Sequence, residues 1–296
     1  MKKAVSPAYR LIKKVKDQNF DIDNLHHYTL SLQVGIHDFQ LCVTDGRESR
    51  ILLLEDFRLD GIRTVNTRVK VLNQLFDDHH FLKAGFWNSV KLCVKSHKFT
   101  LVPSGHFAKD AASDYLLINS EIRPEMEDVL FYKHNMSEAV NIFAADQKLI
   151  SWIKSLYPSV EVGVVHQGSA LIEGIMKYDD HSNQKTMFCS VDLGILHVVV
   201  TQNKELLYYN QFAARKSEDY LKYIMSVFKE LRLSPKKSKV LIWGSLKQKS
   251  EPIELLKKYI MDISYAGKPN YLKFGHAFDE IPDYHYFDAY SVFLCE

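Results

Sequence analysis

Hydrophobic and polar positions alternate along the chain in a way that predicts short strands interrupted by amphipathic helices. In the first half, the pattern predicts strands at 28–35, 39–45, 50–57, 89–96, 99–102, 129–134, 139–145 and 160–166, and helices at 67–76, 108–118, 147–156 and 169–178. In the second half, it predicts strands at 187–194, 197–202, 205–212, 240–244 and 270–275, and helices at 217–233, 251–260 and 286–294. This mixture predicts an α/β fold.

The two halves of the chain show the same order of predicted strands and helices. Placing Gly35 over Gly194, a shift of 159 residues, sets the segment 32–36 over 191–195. On either side of this point both halves show strand, strand, strand, helix and a further apolar strand. A repeated β-β-β-α-β order indicates two copies of one supersecondary unit.

Composition and charge narrow the class of protein. The chain has 296 residues, of which 46% are hydrophobic and 25% charged, as in ordinary globular proteins. The formal net charge of +2 gives no reason to expect a nucleic-acid partner. Four cysteines are widely spaced in apolar segments, at positions 42, 93, 189 and 295, so we expect reduced, packed thiols in a cytoplasmic protein and neither a disulfide framework nor a metal site.

No stretch is apolar enough to predict a transmembrane helix, and no signal peptide is predicted. The first 24 residues are basic before Asp17, so we expect a solvated basic arm there, with a contact to a membrane surface or polyanion as the alternative. A polar break at 179–185 separates the halves. The last thirty residues are crowded with Tyr and Phe, which pack under the second domain or form a protein interface.

With its two β-β-β-α-β units, the chain resembles the actin-like ATPase superfamily, which includes actin, sugar kinases, the heat-shock chaperone ATPase and bacterial pilus-assembly and cell-division homologues. It is similar, more narrowly, to an uncharacterised bacterial family given that fold. The resemblance covers residues 25–296. It implies two ribonuclease-H-like domains with mixed central sheets in an actin-like arrangement, flanking a nucleotide cleft.

The phosphate loops of the superfamily are eroded here. In the first loop, Asp-x-Gly is expected, but the sequence reads Gln33-Val34-Gly35-Ile36-His37-Asp38, so an amide stands where the resemblance implies the acid that helps to hold the hydrated metal. In the second loop, Asp192 and Gly194 remain, but Ile195-Leu196-His197 replaces the small and hydroxyl residues. Bulky residues at such a turn oppose the close backbone approach that phosphate requires.

Two other segments retain part of the superfamily pattern. The adenosine segment, a strand followed by Gly-Gly-x-Ser, survives as Gly244-Ser245 after an apolar strand. The segment from His166 to Gly174 matches the interdomain helix, whose small residues permit close crossing. The resemblance therefore implies Gly35, Asp192, Gly194, Gly244 and Ser245 as cofactor-binding residues. For Asp192, the alternative is a strand-end residue that caps its own hairpin.

Other chemistries have less support. A ribonuclease-H-like nuclease needs clustered carboxylates for two metal ions, and the sequence offers Gln33 in one half and Asp192 in the other. There is no G-x-S-x-G motif for a serine hydrolase and no HExxH spacing for zinc. No catalytic residue is named.

We therefore expect a basic arm at 1–24, a first ribonuclease-H-like domain at 25–178 and a second at 179–296. The predicted function is a non-catalytic interaction or scaffold protein with a degenerate nucleotide cleft and a protein partner. The alternative is an ATP-binding switch or a kinase-like phosphotransferase, with ATP and Mg²⁺ as cofactors. An open cleft with Asp192 facing solvent would favour the alternative, and a cleft filled by side chains would favour the scaffold.

Overall fold

The computed structural model describes residues 8–179 and 183–296. The strands are β1 (Ala8–Lys16), β2 (Tyr28–Val34), β3 (Asp38–Asp45), β4 (Arg50–Asp60), β5 (Ser89–Val94), β6 (Phe99–Pro103), β7 (Glu127–Lys133), β8 (Ala139–Asp146), β9 (Val162–His166), β10 (Thr186–Asp192), β11 (Ile195–Gln202), β12 (Glu205–Ala213), β13 (Lys239–Gly244), β14 (Ile263–Tyr265) and β15 (Lys273–Phe274). The α-helices are α1 (Val65–Asp78), α2 (Ala112–Leu117), α3 (Gln147–Leu156), α4 (Gln167–Tyr178), α5 (Ser217–Glu230), α6 (Glu251–Lys257) and α7 (Phe287–Ser291). Short 3-10 helices cover Ile22–His27, Ser104–His106, Lys109–Ala111, His276–Glu280 and Val292–Leu294.

Two mixed sheets repeat one topology. The first has the order β1-β4-β3-β2-β5-β9, and the second has the order β12-β11-β10-β13-β14. In each, three consecutive strands form an antiparallel meander whose first strand, β2 or β10, pairs in parallel with the strand after the helix, β5 or β13. The predicted β-β-β-α-β repeat is confirmed, and each sheet has the strand order of a ribonuclease-H-like domain.

Strand register corrects the predicted alignment of the two copies. Val34 lies opposite Val94 in the first sheet, and Val191 lies opposite Gly244 in the second, so the equivalent of Gly35 is Asp192 and not Gly194. The shift is 157 residues rather than 159. Because side chains in a strand alternate with a period of two, a two-residue slip preserves the hydrophobic pattern and escapes detection in the sequence.

A small antiparallel sheet, β6-β8-β7, branches from the first domain between β5 and β9. Its inner face packs on α2 around a separate core that includes Leu116, Val140 and Ile142. Helix α4 follows β9 and is buried along almost its whole length. One of its faces contacts the second sheet through Leu171, Ile175 and their neighbours.

Helix α4 crosses its neighbours closely at two glycines, in agreement with the predicted role of small residues there. A Cβ atom on Gly174 would lie 2.7 Å from Cβ of Ser291 in α7, and one on Gly168 would lie 2.5 Å from the Tyr209 ring in β12. Both distances are shorter than two carbon atoms tolerate, so any larger residue would push α4 away from α7 and β12.

The expectation of a solvated arm at 1–24 is wrong for residues 8–16. These residues form β1, which pairs antiparallel with β4 at the edge of the first sheet. Two of the basic side chains that suggest an arm make ion pairs with acids of neighbouring elements: Lys14 Nζ lies 2.7 Å from Glu55, and Lys13 Nζ lies 2.9 Å from Glu280. Lysines are also suited to an exposed sheet edge, where charge discourages pairing with other chains. Residues 1–7 lie outside the described part.

Most of the C-terminal aromatic residues belong to a core on the first sheet, whereas Tyr284 and Phe287 pack in the core of the second sheet with Trp243, as predicted. The predicted strand at 270–275 is only Lys273–Phe274, and this β15 pairs in parallel with β4. Tyr290 and Phe278 are buried against Cys42 and Leu54 of the first sheet. The tail of the predicted second domain thus returns to the first, whereas the boundary near residue 178 stays a prediction. The predicted break at 179–185 includes residues 180–182, which are outside the described part.

The four cysteines are buried, as predicted. Within residues 8–179 and 183–296, no helix combines the length and the apolar character that a membrane span requires.

Candidate functional site

Two β-hairpins, one from each sheet, meet across a cleft. In the second domain, Asp192 and Ile195 close a turn whose central residues, Leu193 and Gly194, have φ values of 45° and 83°. Two positive φ values define the tight turn that continues the twist of a hairpin, and glycine adopts such a value without strain. In the first domain, the Gly35 N–H donates to the Asp38 carbonyl at 3.0 Å.

The first hairpin does carry an acid, Asp38, which lies outside the Asp-x-Gly positions of the superfamily motif. Gly35 is the positional equivalent of Asp192, and the space that a side chain at Gly35 would occupy is filled by the carboxylate of Asp38. Gln33, where the acid was expected, lies inside the sheet instead: its Nε2 donates to Gln40 at 3.1 Å and to Asp288 at 2.6 Å. Each hairpin therefore presents one carboxylate to the cleft.

Lys95 lies between these two carboxylates. It follows β5 and its backbone N–H donates to the Val34 carbonyl at 3.1 Å, which fixes its position beside the first hairpin. Its Nζ makes an ion pair with Asp38 and another, at 2.7 Å, with Asp192 of the second domain. Asp192 therefore does not act as a simple cap of its own hairpin. Instead, its side chain forms a salt bridge across the cleft.

Lys95 and Asp192 stabilise each other's charged forms, whereas the charged form of Asp38 is disfavoured. Burial by itself would lower the pKa of Lys95, but Asp192, Asp38 and Asp288 raise it well above its usual value, so the ammonium stays protonated. Burial opposes ionisation of Asp192, yet Lys95 and a hydrogen bond from Gln167 outweigh it and lower the Asp192 pKa. Burial, together with the charge of Asp192, raises the pKa of Asp38.

A second set of hydrogen bonds ties the same region to the C-terminal segment. Gln167, the first residue of α4, donates through Nε2 to Asp192 at 2.8 Å and to Asp288 of α7 at 2.7 Å. Nearby, the Tyr286 hydroxyl donates to Asp56 at 2.9 Å. The bottom of the cleft is thus closed by side chains from both hairpins, from α4 and from the C-terminal segment.

An open cavity of about 610 Å³ remains above this closure. Asp192, Gly244 and Ser245 line it, so three of the five predicted cofactor-binding residues are brought together. Gly35 lines a smaller neighbouring cavity of about 160 Å³ that shares Asp192, whereas Gly194 lines neither of the two. Gly244 has a φ of 95° and lies so close to Val191 that a Cβ would be 2.7 Å from the Val191 nitrogen.

The lining of the larger cavity does not fit a magnesium nucleotide. Its carboxylates are those of Asp38, Asp56, Asp60, Asp192 and Asp288, and its guanidinium groups are those of Arg10 and Arg58. An excess of carboxylates repels the phosphate chain, and Mg²⁺ requires free oxygen ligands. The ammonium of Lys95 already engages one carboxylate oxygen of Asp38 and one of Asp192. Among the described residues, no three His, Cys, Asp or Glu side chains are grouped to hold a metal ion.

A buried histidine anchors the helix behind the cleft. His166 Nδ1 accepts the Gly168 backbone N–H at 3.1 Å, which caps the N-terminus of α4, and its Nε2 lies 2.8 Å from the Ser96 carbonyl. A nitrogen that accepts an N–H carries no proton, so Nε2 carries it and the ring is neutral. Burial lowers the pKa of His166 to about 3 and that of His197, beside Tyr209, to about 4.

Sequence reasoning identified Asp192 but missed Lys95, Asp38, Gln167 and Asp288 as parts of one cluster. The signal for Lys95 is its place near the end of the predicted strand 89–96, because the carboxyl ends of parallel strands meet at one edge of a sheet, as those of β2 and β5 do here. Asp288 could not have been found in this way, since it comes from a C-terminal helix whose path depends on packing over the first sheet.

Paired ribonuclease-H-like sheets with hairpins facing a common cleft define the actin-like ATPase fold, and solved structures agree. A Bacteroides thetaiotaomicron protein described as having an actin-like ATPase fold and unknown function superposes with a TM-score of 0.80 at 22% identity, covering 94% of this chain and 99% of that one. The PilM–PilN type IV pilus biogenesis complex matches with a TM-score of 0.59 at 12% identity, covering 90% and 97%.

The chain belongs to the DUF3822 family, described as a protein of unknown function, whose model matches residues 17–263. No curated protein matches the sequence. The predicted resemblance to an uncharacterised family with an actin-like ATPase fold is confirmed.

Proposed function

We propose that this protein is a non-catalytic interaction or scaffold protein in which the nucleotide cleft of the actin-like fold has been closed by side chains. The observation that carries the proposal is the salt bridge from Lys95 to Asp38 and Asp192. It joins the two domains at the place where the resemblance implies a hydrated metal and phosphate. A protein that closes its own cleft requires no nucleotide to hold its domains together.

A protein partner is the second part of the proposal. PilM, which shares the fold, was solved in a complex with PilN, and this supports an adaptor role for a chain of this architecture. We place the protein in the cytoplasm, as its four buried cysteines favour, and we retain the division into domains near residue 178.

A specific observation favours the alternative, an ATP-binding switch or kinase-like phosphotransferase. The cavity of about 610 Å³ is lined by Asp192, Gly244 and Ser245, which the resemblance implies as cofactor-binding residues. The space is sufficient for a small ligand. The scaffold and the ATP-dependent alternative therefore differ in whether a magnesium nucleotide displaces Lys95 from Asp38 and Asp192.

Thermal unfolding with Mg-ATP, Mg-ADP and Mg-GTP separates them. A ligand at a hundred times its Kd stabilises a protein by about 2.7 kcal/mol. For a chain of this size, that free energy raises the Tm by about 5–10 °C. We expect no such shift at millimolar nucleotide in wild type or in Asp192→Ala. A shift in wild type that is lost in Asp192→Ala would establish the nucleotide-dependent alternative.

The partner is tested with the tagged full chain expressed in its own cells. Proteins enriched over a tag-only control would be purified and their binding measured with the isolated chain. We expect at least one to bind directly, with an affinity unchanged by added Mg-ATP. If no enriched protein binds the purified chain, the scaffold proposal fails.

A further inference from the structure

We infer that Lys95 is a built-in substitute for a divalent cation: its ammonium neutralises a carboxylate pair that would otherwise bind Mg²⁺ or Mn²⁺. The inference rests on the geometry of the cleft and not on the scaffold role. We therefore expect a variant that lacks the Lys95 ammonium to bind a divalent cation between Asp38 and Asp192.

The carboxylates have the placement of a cation site. Asp38 and Asp192 come from equivalent hairpins of the two domains, and each places an oxygen within hydrogen-bond reach of the same nitrogen. Two oxygens that share one donor lie at most about 6 Å apart. Opposite ligands of Mg²⁺ are about 4 Å apart and those of Ca²⁺ about 5 Å, so a small movement of either aspartate completes a metal's geometry.

The pair cannot remain doubly ionised without a cation. Both aspartates are largely buried, with 7% and 21% of the side chain exposed for Asp38 and Asp192. Two ionised carboxylates at this separation repel each other, and burial weakens their hydration. Removal of the ammonium leaves two ways to relieve the repulsion: one carboxylate takes up a proton, or a cation from solution binds between them. At neutral pH and millimolar Mg²⁺, we expect the second.

A covalently attached cation also changes how the domains are joined. Lys95 belongs to the first sheet and Asp192 to the second, so their 2.7 Å ion pair holds the cleft closed without a bound ligand. A metal ion dissociates, and its site can then open, but Lys95 remains attached to the chain. The contact between the domains is therefore constitutive.

The test compares Mn²⁺ binding by calorimetry and electron paramagnetic resonance at pH 7 in wild type, Lys95→Ala and a matched control, Lys98→Ala. Lys98 also pairs with a buried acid, Glu127 at 2.7 Å, but away from the carboxylate pair. We expect Lys95→Ala to bind one Mn²⁺ at least about tenfold more tightly than the other two proteins. The double variant Lys95→Ala/Asp192→Asn should lose that gain.

Equal Mn²⁺ affinity in Lys95→Ala and Lys98→Ala, or a gain that persists in the double variant, would overturn the inference. If Lys95→Ala is unfolded without metal, recovery of its native circular dichroism on adding Mn²⁺ supports the inference, and failure to recover contradicts it. The result is separable from the proposed function: a wild-type protein that binds Mg-ATP would end the scaffold proposal, but a gained Mn²⁺ site in Lys95→Ala would still stand.

Discussion

Acid should destabilise this protein through two buried histidines. His166 and His197 are fully enclosed and neutral, with pKa values lowered by burial from 6.5 to about 3 and about 4. In the unfolded chain, both titrate near 6.5, so unfolding takes up protons below that pH. Stability is therefore complete above pH 6.5, falls as the pH drops towards 4, and stops falling once the folded rings are also protonated.

The size of the effect follows from the two pKa values. At pH 5, an unfolded histidine gains about 2 kcal/mol from protonation, and a folded ring with a pKa of 4 or less gains almost nothing. The two residues together should reduce the free energy of unfolding by about 4 kcal/mol between pH 8 and pH 5. This free-energy change depends little on the exact pKa values of the two histidines in the folded protein, because both values lie below 5.

The assay is urea unfolding at pH 8 and pH 5, followed by circular dichroism, for wild type and His166→Asn. Asparagine also caps helices, so it can accept the Gly168 N–H, but it does not titrate. The loss between the two pH values should shrink by about 2 kcal/mol in this variant. His276→Asn is the control, because that ring is fully exposed, and its pH-dependent loss should match wild type. An undiminished loss in His166→Asn would refute the reasoning.

Two further predictions concern glycines that set close contacts, and thermal or urea unfolding tests both. Gly174→Ala places a Cβ against Ser291 and should lower the free energy of unfolding by about 1–3 kcal/mol. Gly163→Ala is the control: because no atom lies within 4 Å of its added Cβ, the free energy should change by less than about 0.5 kcal/mol. Equal effects of the two variants would contradict the packing of α4 on α7. Gly244→Ala forces a residue with φ of 95° against Val191 and should cost at least about 2 kcal/mol, so wild-type stability in that variant would contradict the described turn.

Much of the fold could be predicted because local pattern and tertiary structure agree. Helix α3 begins and ends where the sequence pattern predicts, at Gln147 and Leu156, and the ends of every strand of the two meanders lie within three residues of the predicted ones. The sequence does not predict the first strand, β1, because its lysines are typical of a solvated segment. Two of them, Lys13 and Lys14, form ion pairs with Glu280 and Glu55, which are distant in sequence. Ion pairs between residues so far apart in sequence cannot be predicted from the local pattern of hydrophobic and polar positions.

The site was predicted in outline only, for a related reason. Asp192 can be found because Asp192-Leu193-Gly194 retains the Asp-x-Gly motif of the superfamily. Asp38 was in view but was not recognised, because the alignment of the two copies was off by two residues and the acid was sought at Gln33. The role of Lys95 depends on three strand ends meeting at one point, which is a property of the assembled sheets.

The most direct test of a cleft closed by Lys95 is a crystal structure of the wild-type protein grown with 5 mM Mg-ATP. We expect Lys95 Nζ to stay between Asp38 and Asp192 and the cleft to contain neither nucleotide nor metal. Phosphates at the turn of Gly194, with Lys95 turned away from Asp192, would contradict it.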